Sequence, residues 1–249
     1  DTMYNADDIE LPSTYNAEMR DCPIYDEHKR SRSENAKTNW GERGFREMMA
    51  AYYGYVSMID YQVGRLCEEL KRRQLWEDTL VIFTADHGDF IGHYGLTGKG
   101  SMYEPSARVP LIIKPPGPRQ GGRRCHAVVN NIDVFGTTLD AAGDTDWKKN
   151  GHESRSLLPL LEQAATSQVD QQNFPVIGRF PHQWTTMLRR DDWKLIRLNK
   201  NGRALYELFD LREGWETENR YNDPVVAHQR DALKSELDAW NERQAACFP

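Results

Sequence analysis

Val81-Ile-Phe-Thr-Ala-Asp86-His87-Gly88-Asp89-Phe-Ile-Gly92-His93-Tyr-Gly-Leu-Thr-Gly98-Lys99-Gly100 joins an apolar run to a loop of carboxylates, imidazoles and glycines that ends in a lysine. Side chains alternate across a strand, so Asp86 and His87 can reach one ion only where the strand has ended and the backbone turns. Gly88 permits that turn. A hard carboxylate oxygen, an imidazole and a downstream ammonium suggest a metal site for an anionic substrate. The competing roles are a loop carboxylate capping its own turn at Asp86, a packed core histidine at His87 and a solvated surface cation at Lys99.

Outward from this stretch the chain alternates helix and strand. Before it, apolar positions 48, 49, 52, 56, 59, 63, 66 and 70 advance by threes and fours, which predicts an amphipathic helix over about 43–73. A coiled-coil seam is the alternative, but one helix followed at once by an apolar strand favours packing on a sheet. Leu80-Val-Ile-Phe-Thr and Val109-Pro-Leu-Ile-Ile read as strands of a buried parallel sheet, Ala127-Val-Val as a short strand, and Val134 to Ala142 as a helix stopped by Gly143. Residues 1–40 mix proline, charge and isolated aromatics without a period and read as an irregular surface segment. Beyond about residue 173 come closely spaced strand candidates: Val176 to Phe180, Thr185 to Arg189, Lys194 to Leu198 and Leu205 to Phe209, with Asn201-Gly202 marking a hairpin turn. A tail helix from Pro224 to Arg243, apolar at 226, 233, 237 and 240, suits one face of that small antiparallel sheet. The expected fold class is α/β, with ligands bound at the carboxyl ends of the strands, where Asp86 sits.

The net charge of −6 excludes a phosphate-backbone binder, since nucleic-acid affinity rests on clustered cations, and the run from Arg119 to Arg124 is too short to overturn it. No stretch approaches the roughly 20 apolar residues of a membrane helix. Cys22, Cys67, Cys125 and Cys247 form neither a zinc pattern nor a dense disulfide framework.

The 81–100 segment closely resembles the sulfatase branch of the alkaline-phosphatase superfamily. The resemblance continues through Met-Tyr103-Glu104-Pro-Ser-Ala-Arg108-Val-Pro110, Asn-Ile-Asp133-Val, Ser154-Arg-Ser-Leu-Leu-Pro, Arg190-Asp-Asp-Trp-Lys-Leu-Ile and Leu205-Tyr-Glu-Leu-Phe-Asp. It implies part of an alkaline-phosphatase-like sheet flanked by helices over residues 1–160, the C-terminal part of the sulfatase α/β domain. A small antiparallel-sheet subdomain with a C-terminal helix then follows over 161–249. It also implies Asp86 and His87 as ligands of a divalent metal, calcium first and manganese next, and Lys99 as the group that contacts sulfate. His93 is implied as a hydrogen-bonding or proton-donating residue for the leaving alcohol, Asp89 as an orienter of the loop and Arg108 as the partner of a carboxylate. His182 and Trp184 fall where sulfatases often contact the variable part of the substrate, although exposed loop aromatics are common in any protein.

Sulfatases carry their nucleophile in Cys-x-Pro-x-Arg or Ser-x-Pro-x-Arg, oxidised to formylglycine, and further metal carboxylates in an N-terminal Asp pair. Neither is present, and the chain opens at Asp1 with Ile9-Glu-Leu-Pro-Ser, which resembles the middle of a sulfatase. The expectation is a C-terminal portion that is incompetent alone. An N-terminal half of the same enzyme would supply the formylglycine and close the metal site around a sulfated small molecule or glycan. A phosphonate or phosphate monoester hydrolase of the same superfamily, and a non-catalytic sulfatase-like binding protein, are the rival readings.

Overall fold

The structure, a computed structural model, describes residues 3–32, 36–118, 121–122, 124–144, 146–150, 153–163, 176–180 and 185–247. Two compact units make up the chain, one of Asp1–Tyr52, His87–Arg108 and Pro175–Pro249, the other of Tyr53–Asp86 and Val109–Phe174.

In the first unit, helix α1 (Pro23–Arg32) interrupts the N-terminal stretch expected to be irregular. Proline at its first position lacks only an N–H that a helix start would leave unpaired. The next two amides, Ile24 N and Tyr25 N, donate to Glu207 Oε1 at 2.7 and 3.3 Å. A carboxylate from a distant strand thus caps the helix, an arrangement with no local signature in the sequence. Helix α2 (Ala36–Arg72) is broken near its start by non-helical Gly41 (φ 58°, ψ −175°), so its continuous part begins just beyond Gly41, close to the start at about residue 43 that the periodicity predicts. Its early turns bury Phe45 and Met49, and Tyr15 meets Phe45 edge-on at 5.1 Å.

The C-terminal sheet has the expected form, four antiparallel strands in sequential order: β3 (Val176–Phe180), β4 (Thr185–Arg190), β5 (Trp193–Lys200) and β6 (Arg203–Asp210), numbered after β1 and β2 of the other unit. Asn201 and Gly202 both take left-handed backbone (φ 51° and 75°), the signature of a two-residue turn whose twist matches the strands it joins. Leu188, Leu195 and Leu208 lie directly opposite one another across β4, β5 and β6. Over them packs the last helix, Ala227–Cys247, through Leu233 and Leu237, one helical turn apart. The opposite face carries Met187, Ile196 and Phe209 together with Arg189, Lys194 and Glu207. Both faces are buried.

In the second unit, β1 (Val81–Thr84) and β2 (Leu111–Lys114) pair antiparallel, Val81 opposite Lys114 and Thr84 opposite Leu111. This corrects the parallel reading of these strands. A continuous apolar run marks a strand covered on both faces whatever its pairing, so composition could not fix direction. Nor does Ala127-Val-Val form a strand, since a strand exists only through ladder bonds to a neighbour. The helix expected at Val134 is present as Asp133–Ala141, with Gly143 at φ 81° beyond its end. Along the distal part of α2, Val56, Ile59 and Leu66 are 51, 46 and 67% exposed. The stripe that amphipathic spacing assigns to a sheet is therefore open to solvent along these turns.

No helix among the described residues is long and apolar enough to cross a membrane. Leu195 is fully buried at the centre of the leucine ladder. Leu195→Ala is expected to cost about 2–5 kcal/mol in urea-unfolding free energy, against under about 0.5 kcal/mol for exposed Glu218→Ala.

Candidate functional site

Asp86 lies just past the end of β1 and is exposed, while His87 is half-buried. The backbone ahead of Asp86 is pinned within its own unit: Asn131 Nδ2 donates to Ala85 O at 2.8 Å and Thr84 Oγ1 donates to Asn131 Oδ1 at 3.3 Å. Two residues on, Asp133 accepts from Asn130 N (3.0 Å) and Arg155 N (2.9 Å) and pairs with the Arg155 guanidinium at 3.3 Å. Ser154 Oγ donates to Ile132 O and accepts from Gly136 N. The Asn-Ile-Asp133 and Ser154-Arg-Ser stretches are thus scaffolding for the strand end.

Gly88 has a steric reason to be glycine. Its N–H donates to Ser106 O at 2.8 Å, and a Cβ there would lie 2.1 Å from Pro105 O, an overlap with backbone that no rotamer relieves. After it, Asp89 Oδ1 accepts from Ile91 N (2.9 Å) and Gly98 N (3.1 Å), and Phe90 N donates to Gly98 O at 2.7 Å. Asp89 therefore closes the loop upon itself. Ile91 and Tyr94 adopt left-handed backbone (φ 42° and 57°), which costs roughly 1–2 kcal/mol per non-glycine residue. Lys99 is exposed between Gly98 (φ 76°) and Gly100 (φ 111°), and Gly100 N donates to Ser106 Oγ at 3.3 Å. His87, His93 and Lys99 thus all stand on one loop stitched to helix α3 (Glu104–Ala107).

The tautomer of His87 follows from its partner. Nδ1 lies 2.9 Å from Gly88 O, and a carbonyl oxygen only accepts, so Nδ1 carries a proton; in the neutral ring this leaves the lone pair on Nε2, as in a metal-binding imidazole. Among the described residues no group of three or more His, Cys, Asp or Glu side chains is placed to hold an ion. Asp86 and His87 offer two donors, whereas calcium takes roughly six to eight. By donor chemistry each fits a contribution to a metal's ligand set, Asp86 as a hard oxygen and His87 as an imidazole nitrogen. His93 shares a 2.8 Å hydrogen bond between Nδ1 and Thr14 Oγ1 and packs on the Trp215 indole at 4.4 Å. Burial lowers its pKa, so the imidazole is neutral at neutral pH.

Beneath the loop lies a charged network that the sequence reading missed. Lys194, fully buried on β5, donates to Glu104 Oε1 (2.7 Å) and Glu216 Oε1 (2.8 Å), and Arg189 reaches Glu104 Oε2 at 3.2 Å. Two cations thus meet two carboxylates. Tyr94 Oη donates to Glu216 Oε2 at 2.9 Å, and Glu104 N donates to Glu216 Oε1 at 2.9 Å, tying the loop and α3 to the segment after β6. Burial raises the Glu104 carboxyl, but Lys194, Arg189 and Arg108 outweigh it and hold it below its ordinary value. Arg108 therefore serves a carboxylate through its field. Glu207, beside this group, takes neutral donors: the α1 amides and Tyr103 Oη. Burial dominates there and pushes its carboxyl up to about 7. His182 and Trp184 lie outside the described residues.

Comparison with known proteins bears on both halves of this arrangement. Residues 10–144 match the model of the Sulfatase family, and 92–243 that of the N-sulphoglucosamine sulphohydrolase C-terminal domain. The chain is 35% identical over 178 residues to the multifunctional alkaline phosphatase superfamily protein PehA of Trinickia caryophylli, covering 66% of this chain and 34% of that protein. To arylsulfatase K of Gallus gallus it is 30% identical over 212 residues, 82% of this chain and 38% of the relative. It therefore spans little more than a third of the length of these relatives. Among solved structures, one in complex with its substrate D-glucosamine-2-N,6-O-disulfate superposes with a TM-score of 0.71 at 24% identity, over 92% of this chain and 47% of the other. That likeness establishes the alkaline-phosphatase-like fold.

Gly88→Ala is expected to detach the loop from α3, with amide hydrogen exchange of residues 88–100 rising at least tenfold while that of β4–β6 is unchanged. Glu207 gives a pH signature. Its carboxyl ionises near 4.5 when unfolded and near 7 when folded, so its contribution to stability is full below pH 4.5, falls as pH rises between these values and is level above 7. The change contributed is on the order of 3 kcal/mol. Urea-unfolding curves from pH 5 to 8 should show it, and Glu207→Gln, which keeps the acceptor for α1, should abolish it.

Proposed function

Because this chain belongs to the sulfatase family, we propose that it is the C-terminal part of a metal-dependent hydrolase of sulfate monoesters, acting together with sulfatase polypeptide beyond these residues. The observation that carries this reading is the Asp86-His87-Gly88 turn followed by a glycine-flanked Lys99 on a loop tied down through Gly88, Asp89, Phe90 and Gly100. Need for further polypeptide is supported by the two-donor ligand set and the solvent-facing apolar stripe of α2.

In this reading Asp86 and His87 hold a divalent ion, calcium first because carboxylate oxygen is its preferred donor. When bound, the ion supplies positive charge to the sulfate oxygens, and the formylglycine nucleophile comes from the N-terminal half. Lys99 binds a sulfate oxygen and neutralises charge that develops toward the leaving alcohol as the S–O bond breaks. His93, neutral through burial, holds the leaving oxygen by a hydrogen bond, and the ammonium of Lys99 is the nearby proton source on this loop. The buried Lys194–Glu104–Glu216 network braces the loop that carries His93 and Lys99, so little reorganisation of these two is needed at the moment of reaction. A sulfated small molecule or glycan is the substrate class.

A phosphonate or phosphate monoester is the second reading, favoured by the likeness to PehA, itself described as multifunctional. A phosphoryl dianion would meet the same cation and lysine. Assays of the full-length gene product with 4-nitrophenyl sulfate and 4-nitrophenyl phosphate separate the two. We expect the higher kcat/KM on sulfate, and a drop of roughly 100-fold or more in kcat for Lys99→Ala. Preference for phosphate would overturn the sulfatase reading in favour of the second.

A further inference from the structure

Trp215 is a large apolar side chain left 40% exposed, and its sequence neighbours are held by hydrogen bonds and ion pairs. The residue after it, Glu216, is buried and bonded to Lys194, Tyr94 Oη and Glu104 N. The residue before it, Gly214, turns the chain at φ 106°, and its N–H donates to Leu211 O at 3.2 Å. Trp215 O accepts from Thr217 N at 2.8 Å, and Thr217 O from Arg20 N at 2.9 Å. One side of the indole packs on His93 at 4.4 Å between centroids, inclined by 43°. His93 is fixed in turn by Thr14 and by its N–H to Phe90 O at 2.8 Å. The result is a corner of two rings, His93 from the loop that carries His87 and Lys99 and the part-exposed Trp215 from the segment after β6.

An indole ordered in advance is a good stacking surface, because ring contact is gained without the entropy of fixing a mobile side chain. We propose that Trp215 is the platform on which the alcohol portion of the substrate stacks, an aryl ring or the apolar face of a sugar ring, and so selects ring-bearing sulfate esters over small alkyl ones. This rests on the sulfatase reading, which brings the ester oxygen to His93 and so places the group attached to that oxygen beside the indole. His182 and Trp184 are weighed for this role against ordinary exposed loop aromatics, whereas Trp215, five residues beyond Asp210 at the end of the last stretch of resemblance, gives no signal beyond being aromatic.

The test compares 4-nitrophenyl sulfate with methyl sulfate in the full-length protein, its Trp215→Ala and its Trp215→Phe forms, after thermal melts show that each variant folds. Intrinsic leaving-group differences cancel in the variant-to-wild-type comparison. The ratio of kcat/KM for the aryl over the alkyl ester should fall roughly tenfold in Trp215→Ala, chiefly through KM, and recover most of that in Trp215→Phe. An unchanged ratio, or equal losses on both esters, would show that Trp215 only supports the loop and would overturn the proposal. Absence of turnover on either ester would instead count against the sulfatase reading. Calorimetric binding of 4-nitrophenyl sulfate then decides the question about Trp215, with roughly tenfold weaker binding by Trp215→Ala expected and equal binding, or none by the wild type, refuting it.

Discussion

The ammonium of Lys194, wholly enclosed between the carboxylates of Glu104 and Glu216, is the interaction on which the first unit depends. Removing a charge from water costs several kcal/mol, and only complete pairing offsets it. Here a lysine on β5 is met by carboxylates from two other pieces of chain, the start of α3 and the segment after β6. Such a network is weak evidence for high stability but strong evidence for a single geometry, because a shift of any one piece strands a buried charge. Arg189 completes the balance of two cations with two carboxylates, and Tyr94 extends it into the motif loop. The chemistry-bearing loop and the C-terminal sheet are therefore one mechanical object.

Glu207 shows what happens to a neighbouring acid that receives neutral donors instead. Its carboxyl caps α1 and accepts from Tyr103, and near neutrality it is partly protonated. One sheet face thus holds two kinds of buried carboxyl, one kept ionised by lysine and one eased toward its neutral form, and their effects on stability run in opposite directions with pH.

Much of the C-terminal sheet was legible because its information is local. Leu188, Leu195 and Leu208 sit at alternating positions between turn residues, and Asn201-Gly202 dictates the turn that aligns two of the strands. The motif loop was legible for a similar reason: glycines around Lys99 announce left-handed backbone. Strand direction was not legible at β1 and β2, since apolar runs look alike in either pairing. The network was missed although it left a trace. Glu207 falls between Leu205 and Phe209 on one face, and Lys194 beside Ile196 and Leu198, so each is a charge on an otherwise apolar stripe. The partners, Glu104 and Glu216, lie 90 and 22 residues from Lys194, and no period or motif spacing links them.

Ile91 and Tyr94 hold dihedral angles that side-chain-bearing residues avoid, and a branched isoleucine pays most heavily. The loop is in effect a wound spring, kept at its working curvature by the sheet below and the N-terminal segment beside it. Softening it with glycine would relieve the coil and let the turn wander, gaining thermodynamic ease at the expense of placement. Selection acting on placement would therefore tolerate this tension rather than remove it.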